Sequence, residues 1–135
     1  MTYARAGEFS QNAVIQYFTT SADVARGAVV TITPAATSTV APCADEDAPG
    51  NGPYAVAIQA AASGEVCACV IYGEVGVIAS GNCYKGALVY GKDGAAVART
   101  PTPFDPELAA PTLGMVTEGA ADGGVCTVFV GLGGV

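Results

Sequence analysis

Short apolar runs, separated by glycine, proline, asparagine and aspartate about every 8 to 12 residues, recur along the chain, a spacing typical of sandwiches and barrels. The apolar residues in these runs are mostly β-branched: valine and isoleucine number 22, whereas leucine and methionine number 6. β-branched side chains favour pleated, half-buried surfaces, and long unbranched ones favour helices. The sequence therefore predicts an all-β protein, built as a small antiparallel β-barrel or sandwich.

The turns predicted between these runs are Arg26-Gly27, Ser63-Gly64 and the hairpin-type turn at Lys92-Asp93-Gly94. The strand 65–72 has apolar or small side chains on both faces, which is typical of a strand covered on both sides by its own fold or by a partner chain. The predicted strands are 13–19, 28–33, 54–60, 65–72, 74–79, 87–90, 95–99, 113–117 and 125–132.

The 135 residues fit one domain, which we expect at 13–135, preceded by an N-terminal arm at 1–12. The arm has no periodicity, and such a segment is usually disordered in isolation. The alternative is an arm that orders on a partner. The segment 99–111 holds four of the eight prolines. Within it, Asp105-Pro106-Glu107 predicts one short helical turn over 106–110, because aspartate caps a helix and proline suits its first position.

The charge balance excludes several partners. Twelve acidic and five dispersed basic residues give a net charge of −7, which provides no basic surface for nucleic acid. No run of 18 apolar residues is present, so we expect no membrane partner. The first residues lack an apolar signal run, and we therefore expect synthesis in the cytoplasm.

The five cysteines are interpreted as buried, small hydrophobic residues. An odd number without a signal peptide argues against a disulfide framework. Zinc is the alternative, because Cys67 and Cys69 are two positions apart, but the chain has no histidine and no CxxC pair. We therefore predict no metal site. The cysteines are Cys43, Cys67, Cys69, Cys83 and Cys126.

No residue pattern predicts catalysis. Without histidine, neither a Ser-His-Asp nor a Cys-His arrangement is possible, and the acidic run 45–47 is typical of a solvated loop. The glycine-rich segments 50–53 and 131–135 are not followed by the helix that a phosphate-binding loop requires. Lys85 and Lys92 lie at turns but lack the sequence context of lipoyl or biotinyl attachment. We predict neither enzymatic activity nor a cofactor.

Segments that contain valine, glycine or both recur in a fixed order at 14–18, 22–30, 56–65, 70–73, 86–90, 113–116 and 128–132. This order resembles that of the small decoration, or cement, proteins of tailed-phage heads, a family known from phage genomes as a domain of unknown function. The loops 34–53 and 99–111 of this chain look longer than those of compact members of that family.

The resemblance implies a small β domain on the outer surface of the capsid, often trimeric, that clamps neighbouring capsid subunits against the pressure of the packaged DNA. The partners would be the major capsid protein and other copies of this chain in a homotrimer. A low content of charged residues suits such a role, because the cores of protein interfaces are depleted in charge. The alternatives are another structural component of a phage head or tail, and a secreted β-module that binds a carbohydrate or protein; the absence of tryptophan disfavours the latter.

The predicted contacts with the capsid or a neighbouring subunit are the large side chains of the arm and first strand and one in the proline-rich segment. For Tyr17 and Phe18, packing within the first strand itself is the alternative. We expect removal of residues 1–12 to weaken binding to heads and to leave the fold intact. The predicted contact residues are Tyr3, Arg5, Phe9, Tyr17, Phe18 and Phe104.

Overall fold

The computed structural model describes residues 3–33, 39–43, 53–98 and 112–131, and these residues form nine strands and no helix. The predicted all-β class is therefore confirmed. The helical turn predicted over 106–110 lies outside the described residues. The strands are β1 (Val14–Thr20), β2 (Val29–Thr33), β3 (Thr39–Pro42), β4 (Tyr54–Ala57), β5 (Val66–Ile78), β6 (Leu88–Lys92), β7 (Ala95–Ala98), β8 (Gly114–Glu118) and β9 (Val125–Val130).

The first five strands form a closed barrel in the order β1-β3-β2-β4-β5, and β1 pairs with β5 to complete it. All these pairings are antiparallel except β1–β3, in which two residues of each strand pair in parallel. Alternate residues of each strand point inwards, as the pleat requires. The interior is lined by the buried side chains of Phe18, Val24, Val30, Val40, Ala55, Ala57, Ala61, Cys67 and Cys69.

Strand β5 is 13 residues long and continues without interruption through Gly73. The sequence predicted two strands here, 65–72 and 74–79, because glycine usually interrupts a strand. That prediction is wrong: Gly73 has a φ of +121°, and a Cβ there would lie 2.7 Å from the Cα of Ala13. The glycine thus permits a close crossing of the chain in mid-strand. The first half of β5 closes the barrel, and the second half pairs with β9.

The second half of the chain repeats the first, with an offset of 59 residues. Val24 forms an antiparallel bridge with Ala61, and Cys83 forms the same bridge with Ala120. At this offset the pairing β5–β9 repeats β1–β5, and β6–β8 repeats β2–β4. The pairing β6–β7 also repeats β2–β3, but β7 lies 56 residues after β3. We call 14–72 the first repeat and 73–131 the second; β5 begins in the first repeat and ends in the second.

The turns of the two repeats also have the same hydrogen bonds. The Gly27 amide donates to the Ala57 carbonyl at 2.7 Å, and the Gly86 amide donates to the Val116 carbonyl at 2.8 Å. Both glycines have a positive φ, +82° and +89°. The same strand register and turn geometry recur at one offset in every strand except β7, which shows that the described residues form a tandem structural repeat.

The second repeat closes less completely than the first and is filled by its neighbour. Among the residues that the structure describes, its β7 reaches the end of β5 through one parallel bridge, Ala79 to Ala96. Its core is continuous with residues of the outer face of the first barrel, including Tyr54. Gly91 lies at this junction, where a Cβ would be 2.7 Å from Cys43 Sγ. The outer face of the first barrel and the interior of the second repeat therefore form one hydrophobic cluster, separate from the interior of the first barrel, and this cluster packs the two repeats together.

Residues 3–10 lie along the second half of β5. The Gly7 amide donates to the Gly76 carbonyl at 2.8 Å, the Gly76 amide donates to the Glu8 carbonyl at 2.8 Å, and the Ser10 amide donates to the Glu74 carbonyl at 3.0 Å. Gly76 makes this approach possible because it has no side chain to separate the two backbones. The N-terminal residues thus have a defined position, which the lack of periodicity in 1–12 did not indicate.

Strand β3 was not predicted, since the sequence analysis treated 34–53 as a loop. Its four residues begin soon after one proline and end at another, Pro42, which cannot donate to a ladder. Tertiary pairing with β2 stabilises it, over Val30–Pro42 to Thr33–Thr39. The three predicted turns at residues 26–27, 63–64 and 92–94 are confirmed, with Asp93 and Gly94 both at positive φ.

We predict that Gly76→Val detaches the N-terminal segment from β5 and leaves the barrels folded. A Cβ at this position would lie 3.0 Å from the Arg5 carbonyl oxygen and 3.1 Å from Tyr3 Cβ, and valine adds two more carbons. The strand itself tolerates valine, which has a high β propensity. Hydrogen exchange measured by mass spectrometry should show the Gly7 and Ser10 amides exchanging at least about tenfold faster.

The control is Tyr17→Val, which introduces the same valine at the position of the first repeat that is equivalent to Gly76. Tyr17 is 68% exposed, so this change should leave exchange at residues 7–10 as it is in the original chain. Unchanged protection of these amides in Gly76→Val would contradict the close packing described for the segment.

Candidate interaction surfaces

The described residues contain no cluster of three or more His, Cys, Asp or Glu side chains that could hold a metal ion. In the same part of the chain, no helix is long and apolar enough to cross a membrane. The polar side chains at the turns instead form hydrogen bonds within each repeat. Asp23 accepts a hydrogen bond from the Ser63 amide at 2.9 Å, and at the equivalent position Asn82 accepts one from the Asp122 amide at 3.2 Å.

All five cysteines are buried, which confirms their interpretation as core residues. Burial raises the pKa of each thiol, because the thiolate is poorly solvated in an apolar interior. Burial, with the neighbouring Cys83, raises the pKa of Cys126 to about 12. Cys67 and Cys126 occupy the same interior position of the two repeats. At neutral pH these groups are therefore neutral side chains that fill the barrels.

Of the predicted contact residues in the N-terminal segment, Tyr3 is buried, Arg5 is exposed and Phe9 is 39% exposed. Phe9 forms an antiparallel bridge with Val75 of β5. Burial raises the pKa of Tyr3, and the charges of Glu74 and Glu8 raise it further. Tyr3 thus lies between the segment and the barrel, while Arg5 and Phe9 remain accessible from outside.

The two predicted contact residues of β1 point in opposite directions. Phe18 is buried inside the first barrel, where its neighbour across the strands is Cys67. Tyr17 points outwards, and Val66 of β5, also exposed, lies diagonally across from it. The structure therefore places the Tyr17 ring on the surface and the Phe18 ring in the core. Phe104 lies outside the described residues.

Sequence reasoning missed an apolar row on the outer face of the second repeat. Leu88, Met115 and Phe129 are successive cross-strand neighbours on β6, β8 and β9, and we call these three residues the terminal row. Leu88 and Met115 are each 37% exposed, and Phe129 is partly exposed. Tyr72, 47% exposed, contacts the edge of Phe129 with the ring centroids 5.2 Å apart.

The equivalent residues of the first repeat are Val29, Val56 and Val70, which we call the internal row. They are also successive cross-strand neighbours, on β2, β4 and β5. All three are fully buried, because they belong to the core shared with the second repeat. One face of the same fold is therefore covered in the first repeat and uncovered in the second. Recognition of the 59-residue repeat in the sequence would have shown that these two rows are equivalent.

No protein-family model matches the sequence, and no curated protein matches it. The fold is similar to that of the N base of gp8.5, the head fiber of bacteriophage phi29, known from a crystal structure. The TM-score is 0.62, the sequence identity is 19%, and the match covers 87% of this chain and 92% of the other. The likeness concerns the fold over nearly the whole length of both chains.

We predict that the five thiols of the folded protein do not react with a disulfide reagent at pH 8, and that all five react in denaturant. The thiolate is the reactive form, and burial suppresses it. A thiol whose pKa is raised on folding stabilises the fold fully below its unfolded pKa, near 9.0, and less as the pH rises towards the folded value. The free energy of unfolding should therefore decrease between pH 9 and pH 12.

The matched control is Cys126→Val, which keeps an apolar side chain at the position and removes the thiol. Urea unfolding of this variant should lose less stability across that pH range than the original chain does. Equal losses in the two proteins would mean that Cys126 does not contribute to the alkaline destabilisation.

Proposed function

We propose that this protein is a structural component of a tailed-phage head, bound to the outside of the capsid as a decoration protein that stabilises the lattice. The observation that carries the proposal is the likeness of fold, over 87% of the chain, to the base of a phage head fiber. The motif order that resembles decoration proteins supports the same assignment independently. We propose that its role is mechanical and not enzymatic, with the major capsid protein and other copies of the chain as partners.

The geometry of the molecule fits a role in clamping subunits. The two repeats are joined by one continuous strand and by the hydrophobic cluster between them. They form a stiff body, since one repeat cannot move relative to the other without breaking the pairing of β5. Exposed apolar and aromatic side chains on separate faces offer more than one contact surface. A protein that links neighbouring subunits requires such surfaces, because one surface must meet the capsid while another meets a second subunit.

We propose that the capsid-facing surface includes the exposed Tyr17 and Val66 on the first repeat. A tyrosine that is 68% exposed on a β-strand offers a large apolar ring with a polar end, a combination enriched at protein interfaces. Arg5 and Phe9, exposed on the N-terminal segment, are the other candidates. The buried Tyr3 and Phe18 would support these contacts from within the fold.

A second candidate function is that of a base for a head fiber, because the structural neighbour is the N base of such a fiber. The two roles differ in what binding does to the head. A decoration protein binds at many equivalent lattice positions and raises the stability of the shell, whereas a fiber base provides an attachment point for a further structure. Both place the protein on a phage head.

The test is to add the purified chain to heads of the encoding phage that lack it. We expect binding at regular lattice positions by electron cryomicroscopy, and a higher temperature for release of the packaged DNA. Tyr17→Asp should weaken binding at least about tenfold, because a charge at the core of an interface must be desolvated. Tyr84→Asp, which changes an equally exposed tyrosine of the second repeat, is the matched control.

The outcomes separate the candidates. Regular binding without thermal stabilisation would favour the fiber base, and no binding to heads at all would contradict both roles. Loss of binding in Tyr17→Asp alone would support the proposed surface, provided that its thermal unfolding matches that of the control variant. Equal weakening by both changes would point to a general charge effect and contradict a specific contact at Tyr17.

A further inference from the structure

The internal repeat shows what normally covers the face on which the terminal row lies. In the first repeat, the residues of the internal row are completely buried against β structure of the second repeat. In the second repeat, no further repeat follows among the described residues, and the terminal row is partly exposed. The fold thus provides one covered and one uncovered version of the same face within a single chain.

The side chains of the terminal row are larger than those of the internal row. At the three equivalent positions, valine is replaced by leucine, methionine and phenylalanine, so the face that is partly exposed carries more apolar surface than the buried one. A face that had adapted to water would carry polar residues instead. These three replacements therefore indicate a face that remains adapted to a protein contact.

The positions that flank the row are polar in the second repeat and apolar in the first. Glu74 stands where the first repeat has Ile15, and Thr117 stands where it has Ile58. The Thr117 hydroxyl donates to Glu74 Oε2 at 3.4 Å, so these side chains form a polar border at one side of the row. An apolar centre with a polar rim is the usual anatomy of a protein–protein interface.

We infer that the terminal row is the contact between copies of this chain, and that it packs against the terminal row of another copy around the symmetry axis of an oligomer. The inference rests on the self-association included in the proposed function, and it names the surface responsible. A second copy cannot take the place of a third repeat, because the interior of its first barrel is filled by that barrel's own side chains and the interior of its second repeat packs against the first barrel. A contact between identical rows closes on itself and leaves no free end.

The charge of the chain agrees with this choice of face. Each copy has a net charge of −7, so two copies repel each other, and they approach most easily through a surface whose centre carries no ionised group. All three residues of the row are uncharged. The edge contact between Tyr72 and Phe129 also restrains the Phe129 ring before association, which reduces the entropy lost on binding.

Sedimentation velocity of the full chain, over a range of concentration and salt, tests the inference. We expect an oligomer whose association becomes tighter as salt rises, since salt screens the repulsion between like-charged copies. Met115→Lys and Leu88→Lys should each raise the dissociation constant at least about tenfold. Both side chains are partly exposed, so a lysine can reach solvent in the monomer, and circular dichroism should confirm that both variants remain folded.

The control for charge is Tyr84→Lys, which places the same lysine at an exposed aromatic position outside the row and should leave the association unchanged. Proximity is tested separately with Met115→Cys and a short bismaleimide linker. The five natural cysteines are buried, so the new thiol provides the reactive site. Cross-linking between copies is expected in this variant and not in Tyr84→Cys.

An oligomer that survives both lysine changes, or a chain that remains monomeric at every concentration, would overturn the inference. Either result would leave the proposed function standing if the same protein still binds heads. Association that weakens as salt rises would also overturn it, because that dependence indicates a contact between opposite charges. If the original chain forms the oligomer but does not bind heads, the proposed function is contradicted, whereas the inference about the terminal row is not.

Discussion

The structure depends on one long strand, β5, which pairs with neighbouring strands in both repeats. At the usual rise of about 3.3 Å per residue, the 13 residues of β5 extend for about 40 Å. Its first half closes the first barrel and its second half begins the second repeat. Because inward positions alternate regularly along it, Cys67 faces one interior and Val77 faces the other without a change of phase. The rest of the fold is arranged around this strand.

Much of the secondary structure was predictable from the sequence, because glycine-containing turns and β-branched runs are local signals. Eight of the nine strands overlap predicted ones, and the failures have tertiary causes. Gly73 is in a strand because the chain crosses closely at Ala13, and β3 exists because β2 supplies its partners. Neither contact can be inferred from the residues alone. The parallel contact between β1 and β3 was likewise not predictable from local pattern.

The candidate surfaces were less predictable than the fold. Tyr17 and Phe18 are adjacent in sequence, yet one is exposed and the other buried, since a strand alternates its faces and only the register shows which face is inside. Tyr3 is large and aromatic, as a contact residue often is, but it packs between the N-terminal segment and the barrel. The terminal row combines residues from three strands that are distant in sequence, so it becomes visible only when the sheet is assembled.

The position of β5 at the centre of the pairing also determines the order in which the chain can fold. The first barrel cannot close until β5 has been synthesised, because β1 pairs with it from Thr19–Val66 onwards. The N-terminal segment must wait longer still, for Gly76 to be available. Contacts between residues so far apart in sequence are formed slowly, since the entropy of closing large loops opposes them. The earliest residues to leave the ribosome therefore cannot reach their final position until residue 76 has been synthesised.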